Sequence, residues 1–315
     1  MAWFDALGHI SKARAFGVIR AVSILLAICS GLAQQPVFRA RTDLVRVDVL
    51  VTRDGTPVTG LTAADFDVRD NAVRQSVTAA SVVEAVQLGV VLDVSGSMTG
   101  TRLAIAQSAT IDLLSQLSHD DSFSIVAFGD HVARIASSPT GLADAAASLR
   151  AVATGGGTAL LDGIFAGILE ADRGAGPKLL LVMTDGRSNA SWLQATSVID
   201  AARRHETAIY PIAVGPDLEW TSGVSPRLRT SESLALLRVI AEQTGGRHLE
   251  AEWNSRLGTV FQEVLREYRQ RYILTFTPDG VQSGDGWHTI EVRVKRRGLL
   301  VQARPRYWAG LGKID

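Results

Sequence analysis

The chain has 315 residues, 46% of them hydrophobic, and its 32 basic residues balance its 32 acidic ones. A chain of this length buries a sizeable core and has room for one large domain and a smaller one. A balanced charge without a basic, aromatic-studded stretch excludes nucleic-acid binding as a leading function.

The N-terminus has the pattern of a targeting segment. An apolar run at 21–28 follows three basic residues, and Gly31-Leu32-Ala33 offers a small-x-small cleavage site. The basic residues are Lys12, Arg14 and Arg20. The apolar run is shorter than the roughly 20 residues of a membrane-spanning helix. We therefore predict a signal peptide at 1–33 and an exported protein, periplasmic or secreted, with no integral membrane span after cleavage.

Two alternatives for this segment stay open. Cys29, the only cysteine, would make it a lipoprotein signal, but Ile28 stands where such a signal needs a small residue. The other alternative is an uncleaved membrane anchor. Cleavage at 33 would leave 29 basic and 31 acidic residues and no cysteine, so we expect stability to come from the core rather than from disulfides.

Alternating segments lie at both ends of the chain. Alternation of apolar and polar residues is typical of strands with one wet face. These segments are 45–52, 66–70 and 76–82 before the central region, and 271–277, 287–294 and 299–304 after it. Neither group has enough strands to bury a face alone. We predict one small antiparallel β-sandwich built from residues 42–84 and 269–308.

The central region, 86–268, alternates apolar runs with helical patterns. Runs that are apolar at every position indicate strands buried on both faces of a parallel sheet. We predict strands at 87–93, 122–128, 131–136, 178–184, 207–214 and 246–250. We predict helices at 101–117, 141–152, 158–171, 191–204, 231–244 and 254–270. The short Gly129-Asp130 link makes 131–136 an antiparallel edge strand. The fold class is a doubly wound α/β fold, with a mostly parallel sheet and helices on both faces.

The strand at 87–93 runs directly into Asp93-x-Ser95-x-Ser97. A carboxylate and two hydroxyls at alternate positions after a strand place three hard oxygen donors on one side of a small cavity. Oxygen ligation suits Mg²⁺, Mn²⁺ or Ca²⁺ and does not suit zinc or copper. The alternative for these residues is an ordinary helix N-cap with an Asx-turn.

Two further oxygen donors follow downstream. Thr158 comes after the run Gly155-Gly156-Gly157, and Asp185 directly follows the apolar strand at 178–184. Ligands of open parallel sheets bind at the carboxyl ends of strands, where the strand order reverses. Asp93 and Asp185 are therefore expected to meet there. Thr158 could also cap the helix that follows it.

Together, these residues resemble the metal-ion-dependent adhesion site of the von Willebrand factor A domain. The chain is most similar to the bacterial von Willebrand factor A-related proteins of the acidobacterial type. Their pattern includes Thr-Gly-Leu-Thr-x-x-Asp-Phe, matched at 59–66, Gly-Gly-Gly-Thr-Ala-Leu, matched at 155–160, and Arg271-Tyr272. The resemblance covers roughly residues 42 to 308.

The resemblance implies a divalent cation, most often Mg²⁺, with Mn²⁺ or Ca²⁺ as alternatives. It implies that Asp93, Ser95, Ser97, Thr158 and Asp185 hold the cation and that an Asp or Glu of a partner protein completes the coordination. Gly96 would permit the turn between the serines. Asp162 would orient the ligands or a bound water, or it would simply face the dipole of its helix.

Loops after the strand ends are expected to set the choice of partner. We predict a partner-binding rim that includes an exposed tryptophan and two arginines, a combination common at binding hot spots. The rim residues are Ser188, Asn189, Trp192, Trp220, Arg227 and Arg229. The alternative for the loop at 216–230 is an ordinary polar loop with a tucked tryptophan.

Two other classes of function compete with adhesion. A metal-dependent hydrolase is disfavoured because the chain has no Gly-x-Ser-x-Gly elbow, no His-Glu-x-x-His pair and no Gly-x-x-x-x-Gly-Lys loop. We therefore predict that the protein is not an enzyme. A structural envelope protein, in which the ion only stabilises the fold, is the stronger alternative.

Overall fold

The computed structural model describes residues 44–174, 176–214, 226–251, 257–281 and 286–309, with only the backbone described at 226–233. The strands are β1 (Val45–Arg53), β2 (Thr56–Pro57), β3 (Phe66–Asp70), β4 (Val73–Gln75), β5 (Ala79–Val82), β6 (Gln87–Asp93), β7 (Ser122–Phe128), β8 (Val132–Ser137), β9 (Lys178–Thr184), β10 (Thr207–Val214), β11 (Leu249–Ala251), β12 (Tyr272–Phe276), β13 (Trp287–Val294), β14 (Leu300–Ala303) and β15 (Arg306–Trp308). The helices are α1 (Thr101–Leu114), α2 (Leu142–Arg150), α3 (Leu160–Ala171), α4 (Ala195–Arg204), α5 (Pro226–Thr244) and α6 (Leu257–Tyr268).

The central sheet has six strands in the order β11-β10-β9-β6-β7-β8. All neighbours are parallel except β7 and β8, which form the predicted antiparallel hairpin at one edge. In β6 and β9 all residues except the first are buried, and in β10 all are. This burial explains why these segments are apolar throughout, since both faces of the sheet are covered.

Two layers of helices cover the sheet. Alternate residues of β6 point to opposite layers, so that Val90 and Leu92 pack in one core while Val91 packs in the other. The first core includes α1, α2 and α6, and the second includes α3, α4 and α5. The fold is therefore doubly wound, as predicted.

The terminal segments form two antiparallel sheets around a third core. One sheet has the order β14-β1-β12-β5 with β2 beside β1, and the other has the order β15-β13-β3-β4. Each of the two sheets combines strands from before and after the central region. The core between them is shared and includes Val47, Phe66, Leu274 and Ile290. The predicted fold class, an α/β fold with a small sandwich formed by both terminal segments, is confirmed. The domain boundaries given above stay predictions.

Arg271 and Tyr272 join the sandwich to the rest of the chain. Arg271 is fully buried, and its guanidinium lies 5.6 Å and 5.5 Å from the ring centroids of Tyr210 and Tyr268. The hydroxyl of Tyr272 donates to the carbonyl of Val58 at 2.9 Å and accepts from the amide of Leu61 at 3.0 Å. The Arg-Tyr pair therefore connects both strand β10 and the segment at residues 58–61 to the start of strand β12.

The predicted signal segment, 1–33, lies outside the described residues. In the described part of the chain, no helix combines the length and the hydropathy that crossing a bilayer requires.

Candidate metal centre

Strands β6 and β9 end side by side. Their parallel register runs to Leu92 opposite Met183, which places Asp93 beside Thr184 and one residue from Asp185. Asp93 is fully buried, and the side chain of Asp185 is 10% exposed. The sheet thus brings the two predicted carboxylates to one edge, although 91 residues lie between them in the chain.

The first loop gathers three of the predicted oxygen donors. Both the amide and the hydroxyl of Ser95 donate to Oδ1 of Asp93, at 2.9 Å and 2.6 Å. The hydroxyls of Ser95 and Ser97 lie 3.2 Å apart. A single 3-10 turn, Gly96–Met98, follows, and the Ser95 side chain makes no cap hydrogen bond to it. The Asx-turn contact is therefore present without the side-chain cap of the alternative interpretation.

The second loop carries Thr158 to the same edge. The amide of Gly96 donates to the carbonyl of Gly156 at 3.1 Å, and the amide of Gly155 donates to the carbonyl of Val94 at 2.9 Å. Gly156 has a φ of +70°, a conformation that side chains rarely adopt. The loop around Thr158 is therefore bonded directly to the loop that carries the serines.

Thr158 itself is buried and precedes the helix. Helix α3 begins at Leu160 with Ala159 at its N-cap, two residues later than predicted, so Thr158 does not cap it. The helix lies close to the sheet, since a Cβ on Gly163 would be 2.7 Å from the Phe128 ring. This close packing fixes the start of α3, and with it the position of Thr158.

The third loop, residues 185–193, is fastened to the second one. The side-chain oxygen of Asn189 accepts from the amide of Thr158 at 2.8 Å, and the Asn189 amide donates to the carbonyl of Thr158 at 3.1 Å. The carboxylate of Asp162 accepts from the amides of Trp192 and Leu193 at 3.0 Å and 2.9 Å. Asn189 thus holds a predicted ligand, and Asp162 holds the loop.

Two residues that the sequence does not single out, Thr184 and Arg187, also contact the predicted ligands. Thr184 donates its hydroxyl to Oδ2 of Asp93 at 3.0 Å and accepts from the amide of Gly186 at 3.1 Å. Arg187 lies with its Nε 3.7 Å from Oδ2 of Asp185. The one sequence signal for Thr184 is a polar residue that ends an otherwise apolar run.

Two more residues support the loops. Arg102 of α1 donates to the carbonyl of Ser97 at 2.9 Å. The carboxylate of Asp130, in the link between β7 and β8, accepts from the amide of Gly157.

Burial raises the pKa of Asp93 to about 6. Hydrogen bonds from Ser95 and Thr184 oppose this rise, and the negative charge of Asp185 adds to it. The fold therefore places two carboxylates near each other where water solvates Asp93 poorly. A bound cation would relieve this repulsion.

The donor set fits a hard divalent cation. It consists of two carboxylates and three hydroxyls, without sulfur or nitrogen, and Ser95 and Thr158 are buried with Asp93. Such oxygens suit Mg²⁺, Mn²⁺ or Ca²⁺. Among the described residues, no three His, Cys, Asp or Glu side chains gather, so this centre depends on hydroxyls beside its two carboxylates.

The predicted rim is described only in part. The hydroxyl of Ser188 lies 3.0 Å from that of Ser191, and Trp192 is 94% exposed on the same loop. Trp220 lies outside the described residues. The backbone of Arg227 and Arg229 belongs to the first turns of α5. The partner-binding role of all these residues stays a prediction.

Comparison with known sequences gives two kinds of relative. An uncharacterised protein of Synechocystis, sll0103, is 37% identical over 106 residues, which is 32% of this chain and 25% of that protein. Inter-alpha-trypsin inhibitor heavy chain H1 of Mesocricetus auratus is 24% identical over 203 residues, 59% of this chain and 22% of the relative. The chain thus spans about a quarter of the length of these relatives.

Solved structures match more loosely. The von Willebrand factor type A protein of Catenulispora acidiphila is 16% identical over 87% of this chain and 65% of its own, with a TM-score of 0.48. Proximal thread matrix protein 1 of the mussel byssus, with a zinc-occupied MIDAS motif, is 19% identical over 61% of this chain and 47% of its own, with a TM-score of 0.47.

The sequence model of the von Willebrand factor type A domain matches residues 88–256, more than half of the chain. These residues contain the central sheet from Leu88 onward, helices α1 to α5 and all five predicted ligands. The chain belongs to the von Willebrand factor type A domain family.

Proposed function

We propose that this chain is an exported, metal-ion-dependent protein-binding module. A divalent cation, Mg²⁺ above all, would be held by the five predicted oxygen donors, and an Asp or Glu of a partner protein would complete its coordination. One observation carries the proposal: the three loops that contain the predicted ligands are bonded to one another at one edge of the sheet, where Asp185 lies close enough to Asp93 for its charge to act on it.

The chemistry of the donors favours an acidic partner. When bound, the cation would supply positive charge and open coordination positions. If only the neutral hydroxyls of Ser95, Ser97 and Thr158 contact the cation directly, and the two aspartates contact it through water, much of that charge is left uncompensated. A carboxylate from a partner is then the ligand that compensates it best.

The role of the chain's own residues is to orient and to position. Ser95 and Thr184 hold both oxygens of Asp93, and Asn189 holds the backbone of Thr158. A preformed set of ligands loses little conformational entropy when the cation binds. We assign this role to the predicted domain at 86–268, flanked by sandwich halves at 42–84 and 269–308.

The proposal is tested by capture of partners on the immobilised protein. Envelope extract is passed over it in Mg²⁺ and, separately, in EDTA, and Ser97→Ala is compared with Ser197→Ala. Ser197 is exposed in the first turn of α4, is not one of the predicted ligands, and is the matched control. We expect capture in Mg²⁺ by wild type and Ser197→Ala, and its loss in EDTA or with Ser97→Ala.

The same experiment separates the competing functions. Equal capture in Mg²⁺ and EDTA would overturn the adhesion mechanism. A cation that raises the melting temperature without changing capture would favour the structural role. Metal-dependent turnover of generic ester or phosphate substrates, abolished in Ser95→Ala and Asp185→Ala, would replace binding by catalysis.

A further inference from the structure

Arg187 lies against one of the two carboxylates of the metal centre. Gly186 has a φ of +85°, which turns the chain so that the amide of Arg187 donates to Oδ1 of Asp185 at 3.2 Å. The Arg187 Nε lies 3.7 Å from Oδ2 of the same carboxylate. The side chain of Arg187 is 53% exposed, so the guanidinium borders both the centre and the solvent.

The loop that carries Arg187 is fixed at its far end. Asn189 is bonded in both directions to the backbone of Thr158, and Asp162 accepts the amides of Trp192 and Leu193. The guanidinium is therefore tethered beside the centre by a short, anchored segment. A partner group that reaches a cation at Asp185 would therefore lie near Arg187.

A guanidinium at this place has two electrostatic consequences. It competes with a cation for the charge of Asp185, and it repels the cation directly. Once a cation engages Asp185, that carboxylate is less available to Arg187. The planar fork of guanidinium donors then matches a second carboxylate geometrically.

We propose, on the basis of the proposed function, that Arg187 is a second anchor for the partner and that it weakens the binding of the cation alone. The partner class is a protein segment with two acidic groups, one for the cation and one for Arg187. Until such a partner arrives, Arg187 acts as a partial substitute for the cation at Asp185.

The cation half of the proposal is tested by calorimetric titration of the metal-stripped protein with MgCl₂. Arg187→Gln removes the positive charge, so we expect Mg²⁺ to bind about 3- to 10-fold more tightly. Arg187→Lys keeps the charge and should bind Mg²⁺ as wild type does. Arg173→Gln is the matched control. Arg173 is also exposed, but it lies just past the C-terminal end of α3, where it pairs with Glu170.

The partner half is tested with two peptides of equal length at saturating MgCl₂, followed by NMR chemical shifts. One peptide carries a single Asp and the other carries two Asp separated by two Gly. We expect wild type and Arg173→Gln to prefer the two-Asp peptide, Arg187→Gln to bind both equally, and Arg187→Lys to show a reduced preference.

The outcomes distinguish this inference from the proposed function. If Arg187→Gln binds Mg²⁺ no more tightly than wild type, the electrostatic role of Arg187 is overturned. If wild type binds the two peptides equally, or binds neither, the second anchor is overturned. If wild type binds no divalent cation at all, the proposed function itself fails.

Discussion

Thr184 donates its hydroxyl to Oδ2 of Asp93 across 3.0 Å, from the end of the neighbouring strand. Ser95 occupies the other carboxylate oxygen with both its amide and its hydroxyl. Both oxygens of a buried carboxylate are thus held before any cation binds, which fixes the direction in which the carboxylate can present a lone pair.

Thr184→Val should weaken the cation site, since it keeps the shape of the side chain and removes the hydroxyl. We expect Mg²⁺ affinity to fall about 10-fold or more, as for other residues that orient metal ligands. Titration calorimetry measures this. Thr184→Ser, which restores the hydroxyl, should bind almost as wild type does. An unchanged affinity in Thr184→Val would show that Asp93 needs no such support.

Cation binding should weaken as the pH falls through about 6. Because the folded-state pKa of Asp93 is raised above its ordinary value of 3.8, the cation-free fold favours the protonated form. The contribution of Asp93 to stability is then present below about pH 4 and is lost as the pH rises through 6. A cation requires the ionised form, so it must release a proton at low pH.

The corresponding measurement is the rise in melting temperature caused by saturating Mg²⁺. We expect a clear rise at pH 7.5 and a smaller one at pH 5, with little rise at either pH for Asp93→Asn. A rise of the same size at both pH values would contradict the assignment of Asp93 as a ligand.

Asp162→Ala should loosen the loop at 185–193. It leaves the amides of Trp192 and Leu193 without their acceptor, and we expect a loss of about 1–3 kcal/mol in the free energy of unfolding together with faster proteolysis of the loop. Asp144→Ala is a matched control, because Asp144 also lies in the first turn of a helix, α2, and is exposed. Equal proteolysis of the two variants would show that Asp162 does not hold the loop.

Arg271→Met should be the most destabilising of these changes. The buried guanidinium donates to the hydroxyl of Tyr210 and to the carbonyl of Gly245, and it lies between two tyrosine rings. Removal of one member of a buried polar network costs about 3–5 kcal/mol. Urea unfolding measures the loss, with the exposed Arg173→Met expected within about 0.5 kcal/mol of wild type. A loss of unfolding free energy as small as that of the control would contradict the role of Arg271 in joining the sandwich to the central region.

Much of the fold could be predicted from apolar runs. Strands β6, β7, β9 and β10 have the predicted bounds, since strands buried on both faces must be apolar from end to end. The helices match less closely at their ends. Helix α3 begins at Leu160 rather than 158, because the carbonyl of Thr158 accepts from the amides of Asn189 and Ala190 instead of from a helical amide.

The support of the site could not be predicted in the same way. The bond from Thr184 to Asp93 and the bonds between Asn189 and Thr158 join residues far apart in the chain, and no periodicity marks them. The sequence pattern also does not predict the short strand β15, since three residues carry too little pattern to identify a strand. The predicted ligands, by contrast, are oxygen-bearing residues that directly follow an apolar run or a glycine run, and the sequence displays both patterns directly.

The most direct test of the account is a calorimetric titration of the metal-stripped protein with MgCl₂, repeated for Asp185→Asn and for the control Asp144→Asn. We expect one Mg²⁺ per chain for wild type and for Asp144→Asn, and binding weakened at least 10-fold for Asp185→Asn. Absence of binding to wild type, or equal binding by all three proteins, would contradict the claim that these loops form a cation site.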